Sequence, residues 1–148
     1  MSTVRDAVPG DIPRIAEIEK RCFSTPWSED MLRIQLREGY VFLVCEDGGE
    51  TAGYVGLQYV LDEGYISNVA VAPESRRRGI ASALLCELDR RAEKLSLSFA
   101  SLEVRASNAA AIALYTARGY ENVGLRKSYY ENPREDALIM TKYYGERT

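Results

Sequence analysis

Apolar positions along the chain fall into short blocks separated by Gly, Pro and Asp, and the spacing inside each block assigns its element. Thr3–Val8 suits a first strand, and Pro9-Gly10-Asp11 forms a turn and helix cap. Ile12, Ile15, Ile18 and Cys22 then recur at helical spacing. Pro26-Trp27-Ser28 interrupts the pattern, after which Met31, Leu32 and Leu36 mark a second helix begun by Ser28. Tyr40–Glu46 and Thr51–Leu61 flank Asp47-Gly48-Gly49, which reads as a hairpin, and Tyr65–Val71 adds a third strand to that meander. From Gly79 a long helix follows, with Ile80, Leu84, Leu85, Leu88, Ala92 and Leu95 on one face and Arg90, Arg91, Glu93 and Lys94 on the other.

Phe99–Arg105 is the next strand, so residues 65–105 make a β-α-β unit whose strands are expected to be parallel with a right-handed crossover. Asn108–Arg118 is an Ala-rich helix stopped by Gly119, and strands near Tyr120–Tyr130 and Asp136–Tyr143 finish the pattern. The expected class is α/β (α+β), one domain over residues 1–148, with a mixed central sheet of about seven strands flanked by about four helices.

Composition removes several functions. Apolar residues at 46% and charged residues at 28% describe a globular chain rather than a disordered one. A net charge of −3 argues against a dedicated nucleic-acid binder. The longest apolar run, Tyr40–Cys45, is too short to span a bilayer, and the N-terminal residues lack a signal-peptide core; no membrane partner and a cytoplasmic location are expected. Cys22, Cys45 and Cys86 are odd in number, widely spaced and set among apolar residues, so they read as buried thiols rather than a disulfide or metal framework. The chain contains no histidine, which removes Ser-His-Asp and Cys-His catalysis and most metal-hydrolase designs. No metal is expected.

Chemistry concentrates in two stretches. V-A-V-A-P-E-S-R-R-R-G-I-A, residues 69–81, places a strand, a Pro break and a basic Gly-containing turn ahead of a helix N-terminus. Cations there are unfavourable unless an anion answers them, whereas unpaired N–H groups and a small residue at Gly79 suit a pyrophosphate. A solvated basic turn is the plainer alternative, and the P-loop pattern is missing. Farther on, Glu103 alternates with core-facing Leu102 and Val104, so it points to the opposite face of its strand and is a candidate general base. Asn108 and Tyr115 lie seven residues apart, two turns along one helix face. Capping and core packing are their ordinary uses; a phenol beside a carboxylate can also serve as a proton donor.

Taken together, R-R-R-G-I-A-x-x-L-L and L-E-V-R-x-S-N-x-x-A-x-x-L-Y-x-x-x-G-Y resemble the GNAT family of acetyl-CoA-dependent N-acetyltransferases. More narrowly, they resemble its RimI-type members, which acetylate the N-terminal alanine of a small-subunit ribosomal protein. The likeness extends through Ile18–Ser28, Asn68–Pro73 and Ser128–Met140. It implies the GNAT acyl-CoA N-acyltransferase fold, acetyl-CoA as co-substrate and a protein N-terminus as acceptor. Val69, Ala70 and Val71 would offer backbone groups to the acetyl-pantetheine arm. Arg77, Arg78, Gly79, Ile80, Ala81 and Ser82 would cradle the pyrophosphate, with Arg76 leading the motif and Asn108 touching the cofactor. Glu103 would accept a proton, directly or through water, and Tyr115 would donate one.

Trp27, Tyr129, Tyr130 and Asp136, with Glu135, are candidates for the peptide groove, and Asp62 and Glu63 for steering a basic acceptor to it. The alternatives are a GNAT enzyme acting on a small amine or a lysine side chain, and a non-catalytic acyl-CoA sensor.

Overall fold

The computed structural model describes residues 2–145. One seven-stranded sheet, in the order β1-β2-β3-β4-β5-β7-β6, carries helices on both faces. Its strands are β1 (Ser2–Asp6), β2 (Tyr40–Asp47), β3 (Glu50–Val60), β4 (Glu63–Val71), β5 (Phe99–Arg105), β6 (Glu121–Tyr130) and β7 (Glu135–Tyr143). The helices are α1 (Ile12–Cys22), α2 (Glu29–Ile34), α3 (Ile80–Lys94) and α4 (Ala109–Ala117). Neighbouring strands are antiparallel except β4 and β5, which the crossover through α3 makes parallel, as the β-α-β pattern predicts.

Alternation along the strands divides the core in two. Leu43, Cys45, Val55 and Leu57 pack with Leu84, Leu85 and Leu88 of α3 and with Leu102, Val104, Tyr115 and Met140. Phe42, Val44, Tyr54 and Ala70 pack on the other face with Ile12, Ile15, Ile18 and Leu32. A strand buried on both faces must be apolar throughout, which explains the unbroken run in β2. Among the described residues no helix is long and apolar enough to cross a membrane.

One local expectation needs correction. Only Cys45 is buried; Cys22 is half-buried and Cys86 exposed, because Leu84, Leu85 and Leu88 take the inward side of α3 and turn residue 86 outward. Asp11 is the N-cap of α1, as the sequence predicts, though its side chain makes no cap bond. Its carboxylate accepts from the Val8 N–H at 2.8 Å and pairs with Arg5 at 2.8 Å, closing the 3-10 turn Pro9–Asp11.

Two irregularities in β4 shape the site. Its pairing with β5 is confined to Glu63–Phe99, Gly64–Ala100 and Tyr65–Ser101, beyond which the two strands have no paired residues. Its pairing with β3 shifts by one residue, since Leu57 opposes Ile66 but Gly56 opposes Asn68, which leaves Ser67 as a bulge. Opposite that bulge, the buried Gln35 side chain lies against Gly56: a Cβ there would come within 1.9 Å of Gln35 Oε1 and 2.9 Å of Ser67 Oγ. We predict that Gly56→Ala displaces Gln35 and lowers stability by about 1–3 kcal/mol. Urea unfolding tests this, and an unchanged midpoint would show that Gln35 is free to move aside.

Candidate active site

The main chain of β4 opens the site. The Ala72 N–H donates to the Ala52 carbonyl at 2.7 Å, so residues of that parity direct their backbone groups to β3. Ala70 follows suit, its carbonyl lying 2.8 Å from where a Gly53 Cβ would stand. The N–H and C=O groups of Val69 and Val71 therefore face the other way, into the gap where β5 has departed. The Cys22 thiol, at 3.5 Å, contacts the Val71 carbonyl from α1.

At the far end of β4 the chain turns through Pro73–Ser75 into α3. Glu74 anchors this turn to α1, bonded by Arg21 at 2.7 and 3.0 Å and by Arg14 at 3.3 Å. The guanidinium of Arg21, with a backbone bond and Arg14, holds its carboxyl down at about 2. The basic turn is exposed from Arg76 to Gly79. Arg77 (φ 66°) and Gly79 (φ 74°) both adopt the left-handed conformation, the kind of alternation that directs successive N–H groups into an anion-binding hollow.

Gly79 is the N-cap of α3 and supplies no side-chain cap, and the space where its Cβ would stand is open. The first amides of α3 are thus presented to whatever anion occupies that space. Arg76 leans on Cys22 Sγ at 3.6 Å and Arg78 on Asp47 at 3.2 Å, while Ile80 is buried as an anchor and Ala81 and Ser82 are half-buried. This hollow fits a diphosphate.

On the opposite bank of the gap, Glu103 projects from β5 away from the buried Leu102 and Val104. Its side chain is 30% exposed and pairs with Arg126 Nε of β6 at 3.3 Å. Tyr115 comes from α4, on the Leu102 and Val104 side of the sheet; it is 8% exposed and lies beside Tyr120, ring centroids 5.7 Å apart. Burial pushes its phenol up to about 12. Tyr130 is also pushed up to about 12 by burial, with the Glu103 carboxylate adding to the rise. Asn108, exposed, caps α4 by accepting from the Ala111 N–H at 3.1 Å.

The aromatic candidates separate into two groups. Tyr129 and Tyr130 meet edge to face at 5.0 Å on the β6–β7 hairpin beside Glu103, Arg126 stands 5.7 Å from the Tyr129 ring and Arg105 4.4 Å from that of Tyr130. Asp136 accepts from the Ser128 N–H at 2.7 Å and Glu135 from the Ser107 N–H at 2.6 Å, so both carboxylates brace the hairpin. Trp27 instead helps line a cavity of about 290 Å³ with Met31, Ile34, Gln35, Ile66 and Ser67, at the point where β4 leaves β5. Tyr65 lies on the same cavity and donates its hydroxyl to Glu63, whereas Asp62 accepts from Ser98 at 2.5 Å.

Sequence reasoning passed over Glu19. It is fully buried on α1, bonded by the Tyr54 hydroxyl, by Asn68 Nδ2 at 2.8 Å and by the Trp27 N–H at 2.9 Å. Burial pushes its carboxyl up, against the two nitrogen donors. A signal existed: a carboxylate four residues after Ile15 falls on the apolar stripe of α1.

Known proteins match this arrangement. The model of the acetyltransferase (GNAT) family matches residues 12–120. The [ribosomal protein bS18]-alanine N-acetyltransferase of Escherichia coli K12 is 39% identical over 142 residues, covering 95% of this chain and 96% of that one. A putative enzyme of the same designation from Bacillus subtilis is 38% identical over 141 residues, covering 94% and 93%. The crystal structure of the ribosomal-protein-S18-alanine N-acetyltransferase from Escherichia coli superposes with a TM-score of 0.92 at 37% identity, covering 100% and 97%. With its opened parallel strand pair, its anion hollow at a helix N-terminus and these relatives along nearly its whole length, the chain belongs to the GNAT family and is an acetyltransferase whose co-substrate is acetyl-CoA.

Proposed function

We propose that the protein transfers the acetyl group of acetyl-CoA to the N-terminal α-amino group of a protein, the alanine at the start of ribosomal protein bS18. The observation that carries the reading is the gap between β4 and β5. It has outward-facing backbone groups on one bank, Glu103 on the other, and the α3 hollow at its end. The acceptor is supported by the designation shared by relatives that match nearly end to end.

In this reading Val69 and Val71 hold the pantetheine arm as a missing strand would, and Val71 faces its N–H toward the thioester oxygen. Ala70 stands between them with its methyl in the core. Arg76, Arg77, Arg78 and the main chain from Gly79 to Ser82 receive the diphosphate, and Asn108 borders the cofactor from the start of α4. The acceptor α-amine, with an ordinary pKa near 8, is mostly ammonium at neutral pH and must lose a proton before it attacks. Glu103 takes that proton, directly or through a water.

Tyr115 remains a neutral phenol at neutral pH and is therefore a donor. Burial that keeps it neutral also disfavours a bare thiolate beside it, which draws the proton to sulfur as the tetrahedral intermediate collapses. The Trp27 cavity and the Tyr129–Tyr130 wall receive the first residues of the acceptor, and Asp136 shapes that wall through Ser128.

Mass spectrometry of peptides incubated with enzyme and acetyl-CoA tests the acceptor. Peptides beginning with alanine should be modified at the α-amine only, while lysine side chains and polyamines remain unmodified; acetylated lysine in an N-terminally blocked peptide would overturn the reading. Glu103→Gln should lower kcat by roughly 10²–10⁴-fold with coenzyme A affinity retained, and Tyr115→Phe should slow thiol release comparably. Wild-type turnover in either variant removes that residue from the chemistry.

The cradle has its own test. Gly79→Ala meets no steric obstacle, but it places a Cβ on a left-handed residue. The cost of about 1–2 kcal/mol should weaken coenzyme A binding by roughly tenfold in calorimetry and leave the peptide KM unchanged.

A further inference from the structure

The acetyl transfer described above makes no use of Glu19, yet the chain buries this carboxylate completely. Among the described residues its hydrogen-bond partners are all uncharged: Tyr54 from β3, Asn68 from β4 and the Trp27 N–H from the segment between α1 and α2. A buried charge without a cation is a costly way to stabilise a fold. It is an effective way to select one arrangement of the groups around it.

The arrangement selected is the phase of β4. Before the bulge, Ile66 faces the α3 side of the sheet; after it, Val69 and Val71 pack toward that side and Ala70 toward α1. The extra residue at Ser67 thus exchanges the two faces. It sends Asn68 to the α1 side, where Glu19 receives it. The same exchange turns the main chain of Val69 and Val71 into the gap. A β4 without the extra residue would direct those groups at β3.

We propose that Glu19 is a positioning residue for acetyl transfer. By bonding Asn68 and the Trp27 N–H together, it locks the bulge that presents Val69 and Val71 to the donor arm and ties the acceptor cavity to the same strand. The proposal rests on the reading that those two residues hold the arm.

Reversing the polarity of one contact tests it. Asn68→Asp sets two carboxylates against each other 2.8 Å apart and should weaken coenzyme A binding by roughly tenfold in calorimetry at pH 8, with a matching rise in the acetyl-CoA KM. Adding Glu19→Gln to that variant turns the contact back into a hydrogen bond, the residue-19 amide now donating, and should restore most of the affinity.

Asn68→Ala removes the donor without a clash. Measured well below its melting temperature, it should lose several-fold in affinity even if Asn68→Asp does not fold. Wild-type affinity in Asn68→Ala overturns the proposal. So does a double variant that regains thermal stability but binds no better than Asn68→Asp. If the wild-type protein itself bound no coenzyme A, the reading of the gap would fail first, and this proposal with it.

Discussion

A parallel strand pair that stops after three residues leaves main-chain groups with no partner from the sheet, and buried or half-buried amides do not tolerate that for long. Everything else in the molecule answers this constraint. The bulge at Ser67 rotates β4 so that Val69 and Val71 are the residues left facing outward, and β5 keeps its own ladder by pairing with β7 on its far side. The sheet is therefore intact on either side of the opening and incomplete only within it. A ligand with amide groups along its length completes the ladder as an added strand would, which is strand addition carried out by a small molecule rather than a peptide.

Charge is distributed to suit the same event. The chain is acidic overall, yet three successive arginines sit beside the N-terminus of α3, where the helix field repels them. Nearby carboxylates are placed with care: Glu74 is occupied by Arg14 and Arg21 of α1, and Asp47 meets Arg78 from the end of β2. The amides of α3 are left to an external anion. At the other end of the gap there is no histidine to carry protons, and in the proposed reading the work falls to a partly exposed carboxylate and to a phenol kept neutral by burial.

Most of the fold was legible because periodicity is local. Alternation in β5 separates Glu103 from Leu102 and Val104, and the apolar stripe of α3 marks its buried face; strict helical spacing from Leu84, Leu85 and Leu88 places Cys86 outside it. The basic turn was legible because cations before a helix contradict the electrostatics expected of a helix start. What was not legible depends on register between distant segments. Nothing in Tyr65–Val71 marks Ser67 as an extra residue, and the close approach of Gln35 to Gly56 is decided across about twenty positions by how α2 lies on β3. Glu19 stood in plain view on its stripe, but its partners come from three separate elements.

The opening also divides labour. In the proposed reading β4 and the start of α3 grip the donor, while the β6–β7 hairpin, at the sheet's far edge, reaches toward the gap with Tyr129, Tyr130 and the Arg126 pair with Glu103. Because an edge hairpin has a neighbour on one side alone, its length and side chains are free to vary without disturbing the grip. One thioester handle can in this way be fitted to different amines by redrawing a single border of the sheet.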